Sequence, residues 1–318
     1  MTGRLFQMSG IVVDMVYRVD AVPTPGTEAD VRSAGLSVGG GFNAMVAARR
    51  AGLDVMFAGT LGTGPLADMV RAALSAQGIA HIGAVHPGLD QGCCTVLVDD
   101  GGERTFIGLP GADGFVTAAD LAGVNPAPGD WILQSGYALS YPNSGAALAD
   151  WLRQRPVGAR VVFDPGPRVA AIAPDILRAA LGAALWISAN GAEAAVLTGI
   201  DDPAEAARAL ARDRRQGGAV VRVGADGAWL AESGGAPRHI PGHPVKAIDT
   251  NGAGDAHIGY FIAGLAAGRP AHRALEAANI AAALSTTAEG PSTAPHPAEV
   301  DALLALSPDP TTQQGAET

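Results

Sequence analysis

Lysine is almost missing: the 318 residues include one, Lys246, between Val245 and Ala247. No Gly-x-x-x-x-Gly-Lys-Ser/Thr loop exists in such a chain, so any nucleotide it binds is held some other way. Cysteine is nearly as scarce. Cys93 and Cys94 are adjacent, a bridge between neighbours is strained and rare, and two cysteines supply neither a disulfide framework nor a zinc site. They read as two small residues in a strand. No apolar run reaches the roughly 18 residues that a membrane span needs. Met1 to Asp14 lacks a basic region followed by an apolar core and a cleavage site, so a cytoplasmic location is expected. Positive charge is short as well: 21 Lys+Arg against 31 Asp+Glu leave a net charge of −10. That is the wrong sign for a protein that grips nucleic acid through its overall field.

What the chain has is small residues. With 43 Gly, 22 Pro, 48% hydrophobic and only 5% aromatic residues, it describes a compact globule with many tight turns. Its length suits two domains, or one large α/β domain with an appendage, and buries enough surface to need no staples. Apolar runs of strand length alternate with Ala-rich segments of helical period, the pattern of a doubly wound, mostly parallel sheet with helices on both faces. Strands are expected at Arg4 to Val13, Val55 to Gly59, Trp131 to Gln134, Val161 to Asp164, Leu185 to Ser188 and Ala219 to Val223. Helices are expected at Asn43 to Ala51, Pro65 to Gln77, Ser144 to Gln154, Pro174 to Leu181 and Pro203 to Gln216.

Two stretches break the alternation. Met15 to Ala34 and Cys93 to Leu109 look like short strands, the second folding back through Asp99-Asp100-Gly101-Gly102, a hairpin signal. The division expected is an α/β domain from residues 1–13, 35–92 and 110–306, a small β-sheet lid from 14–34 and 93–109, and a Pro/Thr/Gln-rich disordered tail at 307–318.

The chemistry concentrates in two glycine runs. Asp249-Thr250-Asn251-Gly252-Ala253-Gly254-Asp255 precedes a helical stretch from Ala256 to Ala267. Small residues opening a helix leave backbone N–H groups uncovered in one concavity, where the helix dipole adds positive charge, a place for a phosphate. Asp255, in the first turn, is placed to take a proton from a hydroxyl beside that phosphate. Capping alone explains one Asp but neither the Gly-Ala-Gly before it nor Asp249. The second run is Gly39-Gly40-Gly41-Phe42-Asn43, whose glycines admit a ligand close to the backbone and whose Asn43 offers a donor and an acceptor to a polyol. Asp14 ends the first strand at the same carboxyl edge of the sheet, where open α/β sheets bind ligands.

Together these residues resemble the ribokinase-like, or PfkB-type, carbohydrate kinase family. The Gly-Gly loop followed by Asn, a helix and a Gly is matched by Gly39 to Asn43 through Gly52, and Asp-Thr-x-Gly-Ala-Gly-Asp is matched without departure at Asp249 to Asp255. Weaker likenesses are Asn190-Gly191-Ala192-Glu193 with Thr198-Gly199, Val223-Gly224-Ala225-Asp226-Gly227, and Asn279. The resemblance implies transfer of the γ-phosphate of ATP, with Mg²⁺, to a hydroxymethyl group under a β lid. It makes Asp255 the catalytic base and the amides of Gly252, Ala253 and Gly254 the anion hole. Asp14, Gly40, Gly41 and Asn43 would hold the sugar, Asn190 and Glu193 the phosphates and hydrated Mg²⁺, and Gly224, Gly227 and Asn279 the nucleotide. Asp249 and Asn251 stand where some relatives bind K⁺ through backbone oxygens, and a homodimer through the lid is implied by the same likeness.

Two departures bear on the substrate. Ribokinases carry Gly-Gly-Lys-Gly-Ala-Asn where this loop reads Val38-Gly39-Gly40-Gly41-Phe42-Asn43, which counts against ribose and removes a cation that would hold a phosphorylated acceptor. Arg222 stands where relatives carry Thr or Ser near the phosphates, as a bidentate phosphate clamp or as a strand-end salt bridge. A monosaccharide or sugar acid is the expected acceptor, with a nucleoside as the alternative. Rival readings are a Gly35-x-Ser37-x-Gly39 nucleophile elbow, a His239/His243 metal pair, and a ligand sensor that kept the fold and lost the chemistry.

Overall fold

A computed structural model describes residues 3–306; the expected tail, 307–318, lies outside the described residues. In chain order its strands are β1 (Leu5–Gln7), β2 (Ile11–Val19), β3 (Val31–Gly40), β4 (Val55–Phe57), β5 (Ala80–His81), β6 (Cys93–Val98) and β7 (Arg104–Leu109). They continue with β8 (Trp131–Ser135), β9 (Arg160–Asp164), β10 (Ala184–Asn190), β11 (Gly218–Arg222), β12 (Gly227–Glu232) and β13 (Arg238–Pro241). The first helices are α1 (Gly41–Arg50), α2 (Pro65–Ala76), α3 (Ala118–Leu121), α4 (Gly136–Ser140), α5 (Gly145–Gln154) and α6 (Pro174–Ala183). After them come α7 (Gly191–Thr198), α8 (Pro203–Ala211), α9 (Ala253–Ala266), α10 (Ala271–Ser285) and α11 (Pro297–Leu306).

Nine strands form the main sheet in the order β13-β12-β11-β10-β9-β8-β1-β4-β5, parallel from β11 to β5 and closed by antiparallel β12 and β13. Its strands are apolar on both faces because helices cover both. Leu5, Leu133 and Val162 point into one core with α1, α9 and α10, while their neighbours Phe6, Ile132 and Phe163 point into the other with α5, α6 and α8. The expected α/β architecture is the observed one. The antiparallel pair β12 and β13 escaped the sequence reading, because Trp229 and His239 interrupt the apolar alternation with a stacked pair, ring centroids 5.0 Å apart.

A separate four-stranded sheet, β3-β2-β6-β7, takes in both segments expected to form the lid, together with residues 11–13 and 35–40, which the expected division gave to the α/β domain. The hairpin closes as expected, Gly102 N–H donating to Asp99 O at 2.9 Å with Gly102 at φ 81°. The expected single strand Arg4 to Val13 divides instead: β1 stays in the main sheet and β2 crosses into the lid. The break falls at Gly10, where any Cβ would lie 2.8 Å from the Asp113 Cβ. Asp113 is buried in this neck, accepting from Gly92 N at 2.8 Å and Gly111 N at 3.0 Å on the chain entering and leaving the hairpin. Gln91 joins in, donating to Ile11 O at 2.7 Å. The lid thus has a rigid root. The helix expected over Pro203 to Gln216 stops at Ala211, since the Arg214 guanidinium turns back to the carbonyls of Leu181, Ala184 and Leu210.

Candidate active site

The carboxyl ends of β9 and β11, the N-termini of α1, α7 and α9, and the root of the small sheet come together, tied by the Asn43–Asp255 hydrogen bond and by the contacts of Arg222 with Asp164 and Glu193. Gly252 adopts φ 77°, and a Cβ there would sit 2.1 Å from Pro291 O, so glycine is required by both conformation and space. This turn delivers Asp255 into the first turn of α9. The Gly252 and Gly254 amides make no hydrogen bond among the described residues, whereas Ala253 N–H turns back to Thr250 O at 3.3 Å. Of the three amides expected in the anion hole, two point free and one is partly spent.

The sugar loop meets this helix. Gly40, at φ 64°, turns β3 into α1, and Asn43 donates from Nδ2 to Asp255 Oδ2 at 3.1 Å while its Oδ1 accepts from Ser292 Oγ at 2.9 Å. Asn43, expected on the sugar, thus also holds Asp255 in place through its amide. Asp14 lies in β2 opposite Ser37 and Cys94, and a Cβ on Gly39 would come within 2.1 Å of its Oδ2. The glycine run thus leaves room for a carboxylate as well as a ligand. Burial pushes the Asp14 carboxyl up to about 6. Asp255 is pushed up to about 7, first by burial; the Asn43 amide opposes the rise, Asp164 and Asp14 add to it, and Arg222 opposes it.

Arg222 ends β11 beneath the anion hole. Its Nη1 donates to Ser188 Oγ at 2.7 Å and lies 3.7 Å from Asp164 Oδ2, its Nη2 lies 3.6 Å from Glu193 Oε2, and its Cζ is 3.9 Å from where a Cβ of Gly254 would stand. It is a salt-bridged strand-end arginine whose guanidinium also borders the α9 N-terminus. Asp164, at the end of β9, was missed by the sequence reading, although Asp-Pro-Gly directly after an apolar run was a legible signal. Burial raises the carboxyls of both Asp164 and Glu193, against the pull of Arg222. Asn190 and Glu193 form a capping box on α7: Asn190 Oδ1 accepts from Glu193 N at 2.8 Å, Glu193 Oε2 accepts from Asn190 N at 2.8 Å, and Oε1 accepts from Asn190 Nδ2 at 2.9 Å.

Gly224 and Gly227 bound the turn between β11 and β12, both with positive φ (66° and 100°). Asn279, expected in the nucleotide groove, is buried on α10 with its amide donated to Ile240 O and Pro241 O and its Oδ1 3.1 Å from His257 Nε2. It is a core tie. His257 is its partner in the core, its pKa pushed down to about 3 by burial.

Asp249 lies at the mouth of the loop. Its Oδ1 accepts from Asn251 N at 2.9 Å and from Arg104 Nη2 at 2.5 Å, and its Oδ2 accepts from Gly290 N at 3.2 Å. Burial opposes its charge, but the two amides and the Arg104 guanidinium outweigh it and hold the carboxyl below the usual range. The Arg104 guanidinium thus already supplies a positive charge to Asp249, beside the backbone oxygens of Asp249 and Asn251 expected to hold K⁺. No group of three His, Cys, Asp or Glu side chains that could hold a metal ion is present among the described residues; Mg²⁺, an ion that keeps its waters and binds through one or two carboxylates plus phosphates, needs no such group. Glu193 and Asp164 supply such carboxylates.

The elbow and the histidine pair fail on geometry. Ser37 lies within antiparallel β3, not on a strand-to-helix elbow, and His239 lies in β13 with its ring tilted at 48° against Trp229. No helix of the described residues is long and apolar enough to cross a membrane.

The profile of the pfkB family carbohydrate kinases matches residues 8–298. The chain belongs to that family. It is therefore a phosphotransferase acting on a sugar or nucleoside. An ATP-dependent ribose-1-phosphate kinase of Halopiger xanaduensis is 34% identical over 92% of this kinase and 94% of the relative. An uncharacterized sugar kinase of Escherichia coli strain K12 is 32% identical over 81% of each chain, and a Klebsiella pneumoniae fructokinase is 31% identical over 92% of this chain and 96% of its own. Among solved structures, the ribokinase of Giardia lamblia shares the fold with a TM-score of 0.83 at 22% identity, covering 96% of this chain and 99% of that one.

Proposed function

We propose that the protein transfers the γ-phosphate of ATP to a hydroxymethyl group of a non-phosphorylated monosaccharide or sugar acid. The observation that carries this reading is the Asn43 to Asp255 hydrogen bond of 3.1 Å, which joins the sugar loop to the anion-hole helix and aims one carboxylate at the boundary between acceptor and phosphate. Asp255 takes the proton of the attacking hydroxyl. The Gly252 and Gly254 amides and the α9 dipole receive the charge spread over the transferring phosphoryl group, and Arg222 holds the polyphosphate from the other side. Asn190 and Glu193, with Asp164, would hold hydrated Mg²⁺, which supplies charge neutralisation to the phosphates when bound. The turn bounded by Gly224 and Gly227 would receive the nucleotide, and the lid would exclude the water that competes as acceptor. A solved aminoimidazole riboside kinase of Salmonella enterica, complexed with its riboside and an ATP analog, has the same fold at a TM-score of 0.77. An ATP-consuming enzyme of this kind works in the cytoplasm.

The acceptor side argues against a phosphorylated substrate, because Asp14 and Asp255 present carboxylates where its phosphate would need cations. One cation is free nearby. Arg168 follows β9 at the same sheet edge, makes no ion pair among the described residues and stacks over Tyr141 at 5.8 Å, a place for the carboxylate of a sugar acid. A nucleoside is the second reading, favoured by two exposed aromatics: Tyr137, whose phenol is raised by burial and by nearby Cys94, Glu193 and Asp255, and Phe106 on the lid. The test is ADP release from MgATP against neutral pentoses and hexoses, sugar acids, nucleosides and ribose 1-phosphate. Turnover of a neutral sugar or sugar acid is the expected result; response to nucleosides alone moves the assignment to the second reading, and response to ribose 1-phosphate alone overturns the non-phosphorylated acceptor.

The same reading gives a homodimer through the lid. Leu36, Ile107 and Leu109 share the lid face opposite Asp14 and are 58%, 62% and 67% exposed, an apolar surface that a second lid would cover. Sedimentation should give twice the 31.9 kDa chain mass; a mass of one chain removes the dimer.

A further inference from the structure

The ion pair between Arg104 and Asp249 joins two separate parts of the molecule, and its place makes it more than a surface contact. Arg104 opens β7 at the hairpin end of the lid, paired with Val98 and remote from the neck at Gly92 and Gly111. The register Asp14 to Cys94, Cys94 to Gly108 and Val98 to Arg104 puts Arg104 on the same lid face as Asp14, the face turned to the cleft. The lid is therefore held at its root by the Asp113 carboxylate and the Gln91 amide and, among the described residues, tied at its far end to Asp249 by this guanidinium. Asp249, the acceptor, fixes the entrance to the anion hole through the Asn251 and Gly290 amides, and Ile248 and Asp249 N–H both donate to Thr286 O, at 2.7 and 3.1 Å. Just beyond it Gly252 is wedged against Pro291 O. The side chains of Arg104 and Asp249 are 29% and 13% exposed, so the pair is shielded enough to keep its strength.

From this placement we infer that Arg104 is a positioning residue that couples seating of the lid to the shape of the anion hole, acting as a resident cation in place of a dissociable monovalent one. With the lid seated, its charge sits on Asp249 and the turn from Asn251 to Gly254 is held open toward the phosphate; with the lid raised, the cation leaves with it and the turn loosens. Phosphate stabilisation is then switched on only when the acceptor is covered. The inference rests on the kinase reading of the same cleft, and two readouts keep the two apart. Hydrogen exchange of the peptide spanning residues 249–256, measured on the full-length protein without ligand, needs no substrate: Arg104→Ala should speed exchange there at least threefold, and Arg104→Lys should restore most of the protection. In turnover with the acceptor that the panel identifies, Arg104→Ala should lower kcat about 10- to 100-fold with KM for the acceptor changed less than threefold. The unaltered enzyme should run at equal rates in KCl, NaCl and choline chloride. Unchanged exchange and kcat in Arg104→Ala would overturn the inference, as would severalfold activation of the unaltered enzyme by K⁺ over choline. If the panel gives no turnover at all, exchange still decides the role of Arg104 while the kinase reading fails separately.

Discussion

Asp255→Asn should abolish phosphoryl transfer and at the same time make the protein more stable above neutral pH. The rate effect follows from the role. A positioned general base contributes about 10²- to 10⁴-fold, most when its pKa lies near the working pH, and burial has moved Asp255 up to about 7. The asparagine keeps the shape and can still present an oxygen to Asn43 Nδ2, so the loop geometry survives while the proton acceptor is gone. Binding of MgATP, which involves the amides and Arg222, should be retained or tighten as a negative charge beside the polyphosphate disappears. Loss of kcat with retained nucleotide binding is the expected pair of results; a variant that keeps a tenth of the rate would remove Asp255 from the chemistry.

The stability effect has a sign that differs from most carboxylates. Because the folded-state pKa is raised, the folded protein keeps the Asp255 proton up to about pH 7, while the unfolded chain releases it near the ordinary carboxyl value of 3.8. Stability from this group is full below pH 4 and lost as the pH rises through 7. At pH 8 the native carboxylate is therefore a burden that asparagine lifts, by about 1–3 kcal/mol after allowance for solvent screening. Thermal melts at pH 5 and pH 8 should show the variant's advantage at the higher pH, and kcat/KM of the unaltered enzyme should rise through about pH 7 in the acid limb.

The parts of the site legible in the sequence are those where backbone conformation dictates residue type. Gly252 at positive φ against Pro291 O, and Gly39 against Asp14, admit nothing larger, so both loops announce themselves as glycine runs. Long parallel strands such as β10 were legible for the same reason, since burial on both faces forces an unbroken apolar run. What stayed hidden depends on distant pairing. Arg104 and Asp249 are 145 residues apart, and nothing in the local sequence at either end tells which charge the lid will bring to the loop. The partners of Asn43 and Asn279 were hidden in the same way: each is polar and well placed, but only the packed structure shows that the amide of one bonds Asp255 and that of the other ties α10 to β13. Gly10 shows the converse limit, a glycine within an apolar run that breaks a strand because Asp113 crowds it from a hundred residues away along the chain.

Arg222→Ala carries the second large effect. Three carboxyls, those of Asp164, Glu193 and Asp255, lie around Arg222 beside the place expected for a polyphosphate: the guanidinium pairs at 3.7 and 3.6 Å with the first two and lowers the pKa of Asp255 by its charge. Removing it costs the phosphate its charge-assisted hydrogen bonds, each worth about 1.5–3 kcal/mol, and leaves Asp164 and Glu193 uncompensated next to an incoming polyanion. ATP binding should weaken about 100-fold and kcat should fall by a comparable factor, since the clamp acts on charge that grows during transfer. Lysine at this position should recover part of the binding but little of the rate, because a single ammonium does not reproduce the planar fork that reaches Ser188 and the α9 N-terminus together. The acid limb of the pH profile should move upward as well, as Asp255 loses the positive charge that now favours its ionised form. If Arg222→Ala leaves ATP KM and kcat unchanged, Arg222 is a structural tie between β9, β11 and α7 and the polyphosphate is held by the amides alone; an upward-shifted acid limb with unchanged binding would locate its charge at Asp255 and not on the nucleotide.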